Sequence, residues 1–234
     1  MAGKRFDPEQ ALQAAMQVFW TRGYEQASAQ ELVEAMRVNR GSWYATFGSK
    51  ADLYRLALER YCRADLDTWK QHLTGPEPLA EVLRSVLRRS ADGLLADPVG
   101  RGCMLANAAA DVRPGGVGAQ QVRAALDELH DLLAQALAQA KGSGELAADA
   151  DPQAWAAFLV TSIQGLRLVG KAAPDPQRLS AAIDATLTAL PWSGNSSPPE
   201  HHPSATTTDT TTDPTATAGA APAGSRARST WEEG

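Results

Sequence analysis

Residues 39 to 50 read NRGSWYATFGSK. Asn39 suits an N-cap and Gly48 a stop, so the spacing predicts a helix of barely two turns. As a helix it is poor: a glycine stands near its start, Trp43 and Tyr44 sit side by side, and no long apolar stripe runs through it. Working upstream, Ser28-Ala29-Gln30-Glu31 is a capping box that opens a helix with Leu32, Ala35 and Met36 on one face. Before it, Asp7-Pro8-Glu9-Gln10 supplies an N-cap and a proline at the first helical position. Leu12, Ala15, Met16 and Phe19 then keep helical spacing until Gly23. The last two of these helices, joined by a tight Arg37-Val38-Asn39 turn, form a helix-turn-helix pattern.

In that motif the second helix lies in the major groove of DNA and applies its N-terminal residues to base edges. A short helix with one buried flank and small or polar residues elsewhere suits this use. Gly41 permits close approach to the duplex. Arg40, Ser42 and Thr46 can donate to bases or phosphates, and the Tyr44 hydroxyl can reach a phosphate while its ring packs. Lys50, in the first turn of the next helix, and Ser28, at the mouth of the second, suit phosphate oxygens. Trp43 is assigned to the same DNA-facing set, and Phe47 is spaced to anchor the helix end in the core.

The net charge of −5 over 234 residues argues against an anionic partner only as an average. Residues 1–60 hold eight basic side chains against seven acidic, whereas 193–234 hold two against five, so local placement of charge decides. Two cysteines make no disulfide framework and fit a reducing compartment. No apolar run approaches a membrane span and no secretory signal opens the chain, which reads as cytoplasmic.

Downstream, Ser49-Lys50-Ala51-Asp52 resembles another capping box, followed by Leu53, Leu56, Ala57 and Tyr61 up to a Gly75-Pro76 break. Further helices are expected at about 77–96, 102–111 and 117–140, the last with Val122, Leu126, Leu129, Leu133 and Leu137 on one stripe. Asp151-Pro152 and Asp175-Pro176 announce two late helices with broad apolar faces. No segment shows strand alternation. The chain reads as all-α, with a DNA-binding domain over 4–64, a larger helical domain over 65–192, and a low-complexity tail over 193–234. That tail is too poor in apolar residues to order itself.

Phe6 to Tyr61 resembles the DNA-binding domain of the TetR (tetracycline-repressor-like) family of bacterial transcription regulators. The family's pattern Gly-x-x-Tyr-x-x-Phe-x-x-Lys-x-x-Leu is met by Gly41, Tyr44, Phe47, Lys50 and Leu53, and FWTRGYEQASAQELVEAMRVNR before it matches the usual text. Trp43 departs from the smaller side chain usual at its place, and Ala27-Ser28 from the commoner Thr-Thr/Ser pair. RGCMLANAAADV, residues 101–112, is similar to a segment recurring in one branch of the family. The resemblance implies a homodimer through the helices at about 152–170 and 176–190, with Ala156, Ala157, Thr161 and Gly165 permitting close approach. It also implies a double-stranded, near-palindromic operator, repression as the usual mode, and release by a small-molecule effector. Two reading heads would then lie roughly 34–36 Å apart, one helical turn of DNA.

Candidates for the effector pocket are Trp69, His72, Met104, Asn107, His130, Trp155, Phe158 and Gln164, apolar walls with a few polar groups. Cys103 reads as a buried structural thiol, since no histidine lies near enough in sequence to imply a metal or redox site. No cofactor, metal or catalytic motif stands out, so an enzyme is disfavoured. Gly115-Gly116-Val117-Gly118 has no strand before it and reads as a loop. A helical adaptor that binds protein instead of DNA is the rival.

Overall fold

The structure, a computed structural model, describes residues 6–194. The expected tail from 195 on lies outside the described residues. Within them are α1 (Pro8–Gln26), α2 (Ala29–Met36), α3 (Arg40–Phe47), α4 (Lys50–Leu73), α5 (Leu79–Ala96), α6 (Met104–Asp111), α7 (Ala119–Ser143), α8 (Pro152–Ala172) and α9 (Pro176–Ala189). One isolated antiparallel bridge, Leu146 with Trp192, is the only β pairing among the described residues. The fold is all-α, as the sequence predicts.

The capping signals act as written. Asp7, Asp151 and Asp175 each accept a hydrogen bond from the backbone N–H two residues on, at 2.9–3.0 Å. Each precedes a proline whose missing N–H costs the helix nothing. Ser28 and Ser49 both close full capping boxes. α2 ends on Arg37, which takes the left-handed conformation at φ 55°. α3 ends on Gly48 at φ 73°, where a Cβ would stand 2.8 Å from the capping carboxylate of Asp52. Only glycine satisfies that turn and the next helix's cap together.

α1, α2, α3 and the first half of α4 form a reading head around Phe19, Leu32, Trp43, Leu53 and Leu58, all essentially inaccessible. The second half of α4 sends Leu66 and Trp69 into the body, made of α5 to α9. α8 lies mainly against α7, and α5 packs on α8 and α9. The expected boundary at 64/65 falls inside α4, which runs through it unbroken. Head and body therefore share one continuous helix.

Candidate nucleic-acid interface

α3 sorts its residues by helical period. Trp43 and Phe47, four apart, turn inward, and Phe47 packs against Phe6 with ring centroids 6.3 Å apart. Arg40, Gly41, Tyr44 and Thr46 lie exposed, Tyr44 at 55%, and Ser42 is half-buried. The N-cap Asn39 accepts from the Ser42 backbone N–H at 2.8 Å and fixes the first turn.

Trp43 corrects the expected DNA-facing set. Its side chain is 0% exposed, so it cannot touch a base edge from this position. The adjacent Trp43-Tyr44 pair has been split by the fold, one ring into the core and the other over its edge. The two rings are stacked at 5.1 Å and 9°. The Trp43 indole N–H has no hydrogen-bond partner among the described residues.

The remaining members of that set have particular partners. A Cβ on Gly41 would meet Asn39 Oδ1 at 3.3 Å, so the glycine also relieves its own N-cap. The Ser28 hydroxyl accepts from the Glu31 backbone N–H at 3.1 Å and so closes the capping box at the mouth of α2. Lys50 Nζ donates to the Glu25 carbonyl at 3.3 Å and lies 4.6 Å from the Tyr24 ring centroid. An ammonium has three donors, so two remain. Arg37, absent from the expected set, is exposed beside Arg40. Neither arginine has an acidic partner within 4 Å among the described residues, whereas Arg22 pairs with Glu31 and Arg55 with Asp52. The signal for Arg37 was its place in the turn, next to the reading helix. The hydrogen bonds from Ser28 hold the Glu31 carboxyl below its usual range, and those from Ser49 do the same for Asp52. Both caps are thus anionic at neutral pH.

The eight expected pocket residues occupy several different settings. Trp69 and Met104 are buried in the body's core. His72 Nδ1 meets the Thr68 carbonyl one turn back at 2.8 Å, an intrahelical contact. Asn107 bridges the Arg101 carbonyl and Lys171. His130 meets the Gln153 carbonyl at the start of α8. Trp155 packs edge-on to Phe158, whose own ring is 36% exposed on the outer face of α8. Gln164 has both amide atoms buried without a partner among the described residues. Composition and helix position had grouped side chains that the fold spends on core, caps and outer surface.

A different cleft forms where head meets body. Trp20 of α1 donates its indole N–H to the Gly102 carbonyl at 2.8 Å, and the Arg101 guanidinium lies 4.4 Å from the same ring. Arg101 also reaches Gln17 at 2.7 Å and the Asp97 carboxylate at 3.2 Å, so the 97–103 segment clasps α1. From α8, Arg167 makes a fork–fork pair with Asp65 of α4 at 2.7 and 2.8 Å and points a further N–H at Cys103 Sγ, 3.5 Å away. Burial works against the Arg167 charge, but Cys103 and Asp65 outweigh it and hold the guanidinium protonated. Burial likewise pushes the neighbouring Cys62 thiol up to about 12. An arginine one turn beyond Ile163, on a stripe otherwise apolar, was the sequence signal for this pair.

Comparison with known proteins agrees with this geometry. Residues 11–57 match the model described as bacterial regulatory proteins, tetR family, and residues 80–186 the tetracyclin repressor-like C-terminal domain. The transcriptional regulator YezE of Bacillus subtilis is 29% identical over 189 residues, covering 80% of this chain and 97% of that protein. The transcriptional regulator AcuR of Cereibacter sphaeroides is 30% identical over 178 residues, 70% of this chain and 77% of its own. A cysteine mutant of the TetR family regulator CifR, solved on 26-base-pair operator DNA, superposes with a TM-score of 0.72 at 34% identity, over 80% of this chain and 99% of that one. The chain belongs to the TetR family of DNA-binding transcriptional regulators.

Proposed function

We propose that the protein is a cytoplasmic transcriptional repressor that grips a near-palindromic operator as a homodimer and lets go when a small-molecule effector binds. The observation that carries this is the face of α3. Its two large apolar side chains are turned inward, while Arg40, Gly41, Tyr44 and Thr46 face out with Arg37 beside them. Such a surface offers donors and positive charge, with the Tyr44 ring as its one large apolar group on α3, which suits phosphates and base edges better than a protein partner. Relatives point the same way, since ComR and BdcR of Escherichia coli are named transcriptional repressors. No helix among the described residues is long and apolar enough to cross a membrane.

α8 supplies the reason for a dimer. Ala157, Phe158, Thr161, Gly165, Leu168 and Val169 form an exposed stripe, with Leu168 and Val169 each at 46%. A Cβ on Gly165 would meet nothing within 4 Å, so no contact inside the described chain calls for a glycine there. Close approach by a second copy would. Ala156, expected in that contact, faces the interior instead.

The test is binding of the full chain to the DNA upstream of its own gene, followed by fluorescence anisotropy across a salt series, beside sedimentation. Phosphate-dominated binding weakens steeply with salt, with a log–log slope of roughly −0.9 per neutralised phosphate. The doubly charged variant Leu168→Glu with Val169→Glu should sediment as a monomer and lose the operator. Affinity that is absent or flat in salt would leave the adaptor reading standing. A variant that remains dimeric would move the interface elsewhere.

A further inference from the structure

We propose that the cleft between head and body is the effector site, and that it takes a small organic monocarboxylate. This rests on the reading that an effector controls operator binding, and it names the place and the chemistry. The cleft encloses about 230 Å³. With a water occupying roughly 30 Å³ of liquid, that is room for a molecule of about seven non-hydrogen atoms, far short of a lipid or a nucleotide.

Charge decides the ligand class. Arg89, Arg101 and Arg167 line the cleft against two carboxylates, Asp65 and Asp97. Arg167 is committed to Asp65, and Arg101 to Asp97 and Gln17. Arg89, on α5, has no acidic partner within 4 Å among the described residues, and Ser90 beside it adds a hydroxyl. One uncompensated guanidinium next to a hydroxyl suits a single carboxylate, held by two parallel N–H donors. A dianion would overshoot the formal balance, and a neutral molecule would gain nothing from the Arg89 guanidinium, which otherwise faces water. The rest of the wall is Trp20, Tyr61, Gly93, Leu94, Gly102 and Cys103, among which Leu94 and the two aromatic rings suit a short apolar tail.

Position supplies the coupling. Trp20 and Asp65 belong to helices that carry the reading head, whereas Arg89, Arg101 and Arg167 belong to the body. A ligand touching both sets binds one relative placement of α1 and α4 better than another. Such differential affinity is what allows a ligand to shift an equilibrium. Because α4 begins immediately after α3, tilting it redirects the reading helix.

Calorimetric titration of the full chain with sodium propionate, butyrate and valerate, each against butyramide as the uncharged control, tests the chemistry. Operator anisotropy with and without the same salts tests the coupling. At least one carboxylate should bind while butyramide does not, and it should change operator affinity. Arg89→Gln should weaken that binding by about tenfold or more, the loss expected for one charge-assisted contact, and leave ligand-free operator binding intact. No carboxylate binding, equal binding of butyramide, or an unaffected Arg89→Gln variant each overturns the site. Carboxylate binding that leaves operator affinity unmoved overturns its role as the effector site. A chain that binds no operator even without carboxylate refutes the regulator reading, a result separable from the calorimetry.

Discussion

The reading head and the body leave opposite kinds of surface uncovered. The head hides large rings, Phe19, Trp43, Phe47 and Tyr54, behind short helices and turns arginines, hydroxyls and a glycine outward. The body hides rows of leucine and alanine along long helices and leaves Phe158, Leu168 and Val169 in the open. An exposed array of donors is at ease in water and gains from meeting phosphate, whereas an exposed apolar stripe gains from meeting another apolar stripe. One chain thus advertises two partners, nucleic acid at one end and its own copy at the other.

Trp43 is the sharpest way to break this contrast, because it belongs to the head's hidden half although it lies in the middle of the reading helix. Trp43→Ala should cost about 3–5 kcal/mol of stability, the usual range for emptying a buried tryptophan site, measured by denaturant unfolding. Trp43→Phe should cost much less, since it keeps a ring and removes an indole N–H that has no partner among the described residues. If Trp43→Ala left stability unchanged but altered operator preference, the residue would belong to the outward face after all.

Much of this was legible beforehand, and the reason is local. Caps, Asp-Pro starts and glycine stops are short-range chemistry, so the helices could be placed from neighbouring residues alone. The same holds for Arg40, Gly41, Ser42, Tyr44 and Thr46, whose outward direction follows from helical period within a single motif. Trp43 was misplaced because two neighbouring aromatics look alike until the core chooses one. Residues that meet only in space are a different case. Trp20, Asp65, Arg89, Arg101 and Arg167 come from four helices and one loop, up to 147 positions apart, counting from Trp20 to Arg167. Nothing in their local spacing announces that they meet.

A smaller effect separates two kinds of outward residue within the head. Arg40→Ala, at the N-terminal end of α3, should relax preference at particular base positions, worth roughly 1–3 kcal/mol if the contact is bidentate. Lys50→Ala should weaken all sequences alike and reduce the salt slope by about one. Selection from a randomised operator library and a salt titration of the chosen site read the two outcomes apart. An Arg40→Ala variant that returns the parental site would move Arg40 to the phosphate-contacting group. An unchanged slope for Lys50→Ala would mean that its ammonium stays on the Glu25 carbonyl when DNA binds.

The smallest expected effect lies in acid. Glu31 and Asp52 each close a capping box in the head, and hydrogen bonds from Ser28 and Ser49 lower their pKa values from the ordinary 4.5 and 3.8. A carboxyl whose folded value is depressed adds stability that is complete above its unfolded value and drains away as pH falls through the folded one. These two contributions should therefore be intact at neutral pH and fade progressively below about pH 4.5 and 3.8. Both groups are exposed, so the loss is modest. Thermal melts between pH 3 and 7 should show a shallower acid limb for the Glu31→Gln, Asp52→Asn double variant than for the parent. The variant should also be somewhat less stable at neutral pH, because a neutral amide caps a helix N-terminus more weakly than an anion does. An acid limb of unchanged slope would place the acid sensitivity outside the head's caps, and this part of the contrast between head and body would have to be redrawn.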